Sequence, residues 1–332
     1  MKQTKNILLT FDHEPFLGAR TGSLEKCMIE PLGALMQLFI RHKVKTVFFV
    51  DVLCLIHFEK QNASKDIVKK IKDQLINLYS EGHFIFPHLH PHWLDSVYIK
   101  EEKQFDLSNL TKYSLSKLTP EEIEKLFSQA INYLNDLGIH HTEWGYRAGG
   151  WCIQPFHLYK KIFTRNNITS DFSVLPGYKN QNKDQAFDYS NVSFRDPYFF
   201  SDQVELADEK GSFIEYPIST TSISPIASFK DKLYRKYLWN KGDKGWGDGL
   251  SAQTGELRSN NSNEEMVSID ILNIVKFKGY KNYLKKHDFM HWISHPKMLT
   301  KHGLKTFDSF LSFANSNYDI ESNFHEMLPA KK

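Results

Sequence analysis

Short, nearly continuous apolar runs alternate along the chain with segments whose apolar residues recur every three or four positions. The runs fall at residues 7–12, 46–52, 83–88, 143–147, 168–174, 213–218 and 289–294. Runs of this length, rich in Val, Ile and Phe, predict strands buried on both faces. The intervening segments predict helices. One over residues 25–41 carries Met28, Leu32, Leu35 and Phe39 on one face, and another, capped by Ser64, carries Ile67, Ile71, Leu75 and Leu78. Thr119-Pro120-Glu121-Glu122 forms a capping box with proline at the first helical position, opening a helix that buries Ile123, Phe127, Ile131 and Leu134. Two more helices are expected at about 156–165 and 304–313. Such alternation predicts an α/β fold with parallel strands, either a barrel or a doubly wound sheet.

Two segments interrupt the rhythm. Residues 93–118 read as a polar connection. Residues 220–287 are rich in Lys, Asn, Gly and aromatics, among them Tyr234, Tyr237, Trp239 and Trp246. Neither has the pattern of a separate domain, so the expectation is one domain over 1–332 with insertions at about 93–118 and 220–287. The 332 residues are 41% hydrophobic and 24% charged, enough apolar mass for a sizeable core. A net charge of +3 gives no argument for nucleic acid as a partner. The 25 Phe, 15 Tyr and 6 Trp point first to the core and only second to platforms for sugar rings. Cys27, Cys54 and Cys152 are odd in number and lack a CxxC spacing, which fits a reducing compartment. No signal-like apolar region follows the first residues, and the longest apolar stretch, 44–58, is broken by Lys45, Asp51 and His57. These features predict a cytoplasmic protein.

In parallel α/β folds the reactive groups gather at the carboxyl ends of strands. Read in order, those ends present Asp12 and Glu14, then His88, His90 and His92, then Arg147-Ala148-Gly149-Gly150-Trp151, then His295. Carboxylates, clustered imidazoles, an arginine and a distant histidine make a metal hydrolase plausible. Along an extended chain residues i and i+2 point the same way, so Asp12 and Glu14 share a face and His13 takes the other. The histidines allow two geometries. On a strand His88 and His90 share a face, and His92 lies too far from His88 to share an ion with it. If the chain turns helically after His88, His88 and His92 meet at i,i+4. Residue pattern alone leaves both open.

The order of these motifs resembles that of the polysaccharide deacetylases with NodB homology (carbohydrate esterase family 4). Thr10-Phe11-Asp12-His13-Glu14 resembles their opening TFDDG, and Thr46-Val47-Phe48-Phe49-Val50 their next strand. Gly82-His83 with His88-x-x-x-His92 resembles the GH…H-[ST]-x-x-H segment. Arg147-Ala148-Gly149-Gly150-Trp151 and Ile293-Ser294-His295-Pro296 resemble the last two motifs. The resemblance spans about residues 6–300. It implies a distorted (β/α) barrel with fewer than eight strands and a bound divalent metal, Zn2+ first, with Co2+, Ni2+ or Mn2+ as substitutes. It implies the hydrolysis of an N-acyl group on a sugar. His88 and His92 would be the metal imidazoles, Asp12 the general base, Arg147 its partner and His295 the general acid, with Gly150 and Trp151 at the substrate. The family's second Asp is His13 here, so the resemblance points to Glu14 as the third ligand, with two alternatives: His13 as the ligand, or Asp12 as the ligand and Glu14 as the base. Asp171 or Asp196 would orient His295. The absence of an export signal suggests a nucleotide- or lipid-linked precursor of a cell-surface polysaccharide, as in O-antigen assembly. Lys230, Lys232, Arg235, Lys236, Lys241 and Lys244 form a strip suited to phosphate groups or an anionic membrane surface. Two other readings follow the same residues: a same-fold enzyme on a non-sugar amide or formyl group, and a silent barrel kept for binding carbohydrate.

Overall fold

The computed structural model describes residues 2–61, 65–182, 185–238, 245–250, 258–259, 264–270 and 272–329. Each of the seven predicted runs contains a strand: β1 (Thr4–His13), β2 (Val47–Asp51), β3 (Phe84–Leu89), β4 (Trp144–Ala148), β5 (Ile168–Asp171), β7 (Phe213–Glu215) and β8 (Phe289–Ser294). A further edge strand, β6 (Tyr198–Phe200), is antiparallel to β7, and β9 (Asp319–Glu321) lies beside the start of β1. The sheet order is β6-β7-β5-β4-β3-β2-β1-β8, and every pairing from β7 to β8 is parallel. The sheet curls until its two ends meet. Past β7 the chain reaches Ser219, whose N–H donates to the His291 carbonyl on β8 at 3.2 Å. Seven parallel strands thus wall a distorted (β/α) barrel.

Parallel strands need crossovers, and the helices supply them. After β1, a single π turn (Glu25–Ile29) leads into α1 (Glu30–His42). Pro31 stands at the start of α1 and has no N–H to continue an α-helical ladder from Cys27, which accounts for the change of pitch. Helix α2 (Val52–Lys60) and helix α3 (Lys65–Ser80) join β2 to β3. The Ser64 cap expected for α3 lies outside the described residues. Helix α4 (Pro120–Asp136) opens with the Thr119/Glu122 capping box, both halves formed. Helix α5 (His157–Arg165) follows β4. Helices α6 (Pro225–Leu233) and α7 (Ile274–Lys286) lie in the 220–287 segment, and α8 (Lys301–Asn317) follows β8. The 93–118 segment holds a small hairpin whose Phe105 packs on buried Trp93 at 4.9 Å.

The barrel interior is largely aromatic. Phe49, Phe86, Phe172, Tyr216 and Phe324 touch in series, with Phe172 and Tyr216 stacked at 4.8 Å. Much of the Phe and Tyr enrichment is therefore core. Gly145 on β4 makes room for it, since a Cβ there would come within 2.5 Å of the Phe86 ring and 2.8 Å of Phe172.

Candidate active site

The period-two alternation of the strands sorts the motif residues by face. On β1, Thr10 and Asp12 point into the barrel mouth, and Glu14 follows on the same side. His13 turns the other way, edge-on to Phe48 at 6.0 Å, and burial lowers its pKa to about 4. Glu14 is therefore the carboxylate placed beside the imidazoles.

The chain stays extended past the end of β3. His90 has φ −117° and ψ 100°, and only then does a 3-10 turn, Pro91–Leu94, begin. The cause is local: the ring of Pro91 clashes with a helical residue before it and holds His90 in the β region. His88 and His90 accordingly share a face. Their Nε2 atoms stand 2.9 Å apart, and Glu14 Oε2 lies 3.3 Å from the first and 2.8 Å from the second. The three form the one buried group of metal-type ligands found among the described residues. His92 falls outside it, its ring against Trp93 and its pKa held well below the ordinary value by burial. The expectation of a helical turn pairing His88 with His92 is thus corrected to a strand pairing His88 with His90.

The donor set suits a cation. His88 Nδ1 donates to the Arg147 carbonyl at 2.8 Å, which fixes that ring and turns Nε2 toward its two neighbours. Burial opposes a charged His88, yet Glu14 and Asp12 raise its pKa to about 9, so the spot draws positive charge. The other oxygen of Glu14 is taken by buried Lys297, whose Nζ donates to Oε1 at 2.8 Å and to the Pro15 carbonyl at 2.7 Å. Glu14 therefore offers one oxygen to an ion. Behind His90, Gly149 leaves space for the ring, since a Cβ there would lie 2.8 Å from its Cε1 and Nδ1.

Next to this group stands a second, ionic one. Arg147 is fully buried at the end of β4. Its Nη1 donates to Asp12 Oδ1 at 2.6 Å, Nη2 to Thr10 Oγ1 at 2.8 Å and to His291 Nε2 at 3.0 Å, and Nε to the Phe172 carbonyl at 3.0 Å. Its guanidinium also covers the Phe49 ring at 4.4 Å. Burial disfavours the Asp12 carboxylate, but Arg147, His88 and His295 outweigh it and hold the pKa below the usual range. Asp12 Oδ2 lies 3.6 Å from His295 Nε2.

His295 is oriented by a residue that the motifs did not name. Its Nδ1 meets Asp270 Oδ2 at 2.8 Å, while Asp270 Oδ1 accepts from the His295 N–H at 3.0 Å and from Ser294 Oγ at 2.9 Å. Burial opposes the imidazolium, and Asp270 and Asp12 raise its pKa above the ordinary value nonetheless. This corrects the expectation of Asp171 or Asp196. Asp171 instead accepts from Ser173 and neighbours Glu215 on the next strand. Asp270 comes from the 220–287 segment, where Ser268 bridges in parallel to Ile293 of β8 and Ile293 donates to the Val267 carbonyl at 3.1 Å. It too stands at the carboxyl end of an extended run. The apolar alternation around Val267 and Ile269, ending in an acid, was the signal in the sequence. Gly150 and Trp151 form a tight turn after β4, both with positive φ (60° and 61°), and Trp151 stands edge-on to Phe187.

No family model matches the sequence, and no curated protein does. Solved structures do match. The chain aligns over 98% of its length with a structure from Pseudomonas aeruginosa PAO1 described as a polysaccharide deacetylase, at 10% identity and a TM-score of 0.52, covering 90% of that chain. One from Mycobacterium smegmatis, described likewise, aligns over 98% of this chain and 88% of its own at 13% identity and a TM-score of 0.50. The fold is that of the polysaccharide deacetylases. An allantoinase structure matches as well, over 98% of this chain and 89% of its own, at 10% identity and a TM-score of 0.50. The polysaccharide-deacetylase fold here carries its ionisable residues at one end of the barrel, as the carboxyl-end rule requires.

Proposed function

We propose that the protein is a metal-dependent deacetylase that hydrolyses an N-acyl group on a sugar. The observation that carries the reading is the convergence of Glu14, His88 and His90 within reach of an ionic Asp12–Arg147 pair and an Asp270-held His295. Glu14, His88 and His90 would hold the divalent ion, and zinc suits two imidazoles and a carboxylate. When bound, it would supply Lewis acidity at the site, polarising the amide carbonyl and easing the deprotonation of water. Asp12, kept ionised by Arg147, accepts the proton of the attacking water. The backbone N–H near Gly150 and the Trp151 ring bind the substrate, the former at the developing oxyanion. His295 donates from Nε2 to the departing nitrogen, which would otherwise leave as a poor amide anion. Lys297 restrains Glu14 so that one carboxylate oxygen stays directed at the imidazoles.

The substrate in this proposal is a nucleotide- or lipid-linked N-acetylated sugar, a precursor of a surface polysaccharide, met in the cytoplasm. Three free, buried cysteines are in keeping with a reducing compartment. Among the described residues no helix is long and apolar enough to cross a membrane. The likeness to an allantoinase structure supports a second reading, hydrolysis of a non-sugar amide.

The test combines metal content and turnover. Purified protein should hold about one zinc per chain, since the three ligands converge on one point. It should release acetate from N-acetylated aminosugars. His90→Ala should lose metal and activity together, and His92→Ala should keep its metal. A chain that takes up no zinc, cobalt or nickel would point instead to a carbohydrate-binding barrel. Turnover of ureides in preference to sugars would move the assignment to the second reading.

A further inference from the structure

Helix α6 is inside out by the usual rule for surface helices. Its inward face is polar. Asp231 accepts from Asn273 Nδ2 at 2.5 Å, and Tyr234, in the turn that continues the helix, bonds His302 of α8 at 2.8 Å. Its outward face is apolar: Ile226 is 69% exposed, Phe229 62% and Tyr237 66%, with Leu233 between them. At three- and four-residue spacings these side chains form one stripe. Lys230, Lys232 and Lys236 are exposed and flank it, and Lys236 lies over the Tyr237 ring at 4.9 Å. Across a groove of about 590 Å³ stands Ile274, also exposed, with Lys278 on the same wall. The acid that lines this groove, Glu265, is paired with buried Lys276 at 2.6 Å.

Aromatic and aliphatic side chains rimmed by exposed lysines are the composition of an interfacial helix. A protein partner with a hydrophobic groove would satisfy the stripe alone. The lysine flanks additionally call for a surface dense in negative charge, and an anionic bilayer offers both. We propose that α6 docks on an anionic membrane surface, inserting Ile226, Phe229, Leu233 and Tyr237 below the headgroups while the lysines bind lipid phosphates. The site end of the barrel would then face the bilayer. Tyr234 contacts the first turn of α8, and the chain re-enters the described residues at 245, beside Trp246, whose N–H donates to the Leu299 carbonyl just past His295. Docking through α6 requires none of the chemistry assigned to the barrel mouth.

Vesicle sedimentation of the full-length chain tests it. The protein should pellet with phosphatidylcholine vesicles holding about one third phosphatidylglycerol, should remain in solution with phosphatidylcholine alone, and should be released by raised salt. Each lysine near such a surface contributes about fivefold in affinity, so Lys230→Gln/Lys232→Gln/Lys236→Gln should weaken binding about 100-fold. Phe229→Ser should weaken it too, with the thermal midpoint of this exposed variant unchanged. Phe229→Trp should show a blue shift in emission on binding. Equal binding to both vesicle types, or none to either, would overturn the proposal. So would a wild-type dimer in sedimentation analysis that Phe229→Ser converts to monomer, since a second copy would then cover the stripe.

Discussion

Replacing Arg147 with Met should be among the most damaging single changes in the barrel, and its cost should depend on one other residue. The methionine fills much of the same volume but removes every donor that Arg147 aims at Asp12, Thr10, His291 and the Phe172 carbonyl. Asp12, 4% exposed, is left as a buried carboxylate without its counter-ion. Removing one partner of a buried pair costs about 3–5 kcal/mol, chiefly because the other charge is stranded. The unpaired Phe172 carbonyl adds to this, while the lost cation over Phe49 is in part replaced by methionine sulfur. We expect a loss of about 4 kcal/mol in urea unfolding at neutral pH. If the stranded charge is the cause, removing it must help. Asp12→Asn/Arg147→Met should therefore recover about 2 kcal/mol relative to Arg147→Met alone. The measurement is a double-mutant cycle by urea denaturation, with the four m-values compared to exclude a change in mechanism. A double variant no more stable than Arg147→Met would refute the reasoning, because the penalty would then lie in packing and the neutral hydrogen bonds.

Asp270→Asn should leave metal content unchanged and lower kcat by about 10- to 100-fold, since a charge-assisted hydrogen bond to the acid is worth about 1.5–3 kcal/mol; a kcat within twofold of wild type would remove Asp270 from the machinery. The Asp171–Glu215 pair gives a pH signature. Burial is the first cause in raising both pKa values, and for Glu215 the neighbouring Asp171 adds to it. The native chain thus keeps a proton that the unfolded chain has released above its ordinary carboxylate pKa, and stability is full below about pH 4.5 and falls as pH rises toward the native value. Glu215→Gln should gain on wild type by up to about 1.4 kcal/mol per pH unit over that window, and urea midpoints that keep a constant difference from pH 5 to 7 would count against it.

The strands were legible because buried parallel strands must be continuously apolar, and each such run in this sequence, from Ile7 to Ser294, became one. The same period-two logic placed Asp12 and Glu14 together and turned His13 away. The histidine cluster was harder, since i,i+2 and i,i+4 pairs look alike until the backbone is known. Its deciding residue was nonetheless in plain sight: Pro91 forces His90 to remain extended. Lys297 and Asp270 were not legible in the same way. Lys297 sits two residues past His295, and its reach back to Glu14 spans 283 positions of sequence. Asp270 lies in a segment whose pairing with β8 is a single bridge, and its apolar alternation, confined to Val267 and Ile269, is too brief to stand out as a strand.

That bridge bears on how far the chain can be shortened. The segment from 220 to 287 has the look of an appendage that a trimmed barrel could discard. A chain that led from Ser219 to Phe289 through a short crossover helix in place of this segment would keep the residues of the seven strands, Glu14, His88, His90, Asp12 and Arg147 among them. It would lack Asp270, leaving His295 to choose its own rotamer and proton. Exchanging one crossover would thereby remove the carboxylate that fixes the His295 ring, and regaining a single acid at the end of the run beside β8 would restore it.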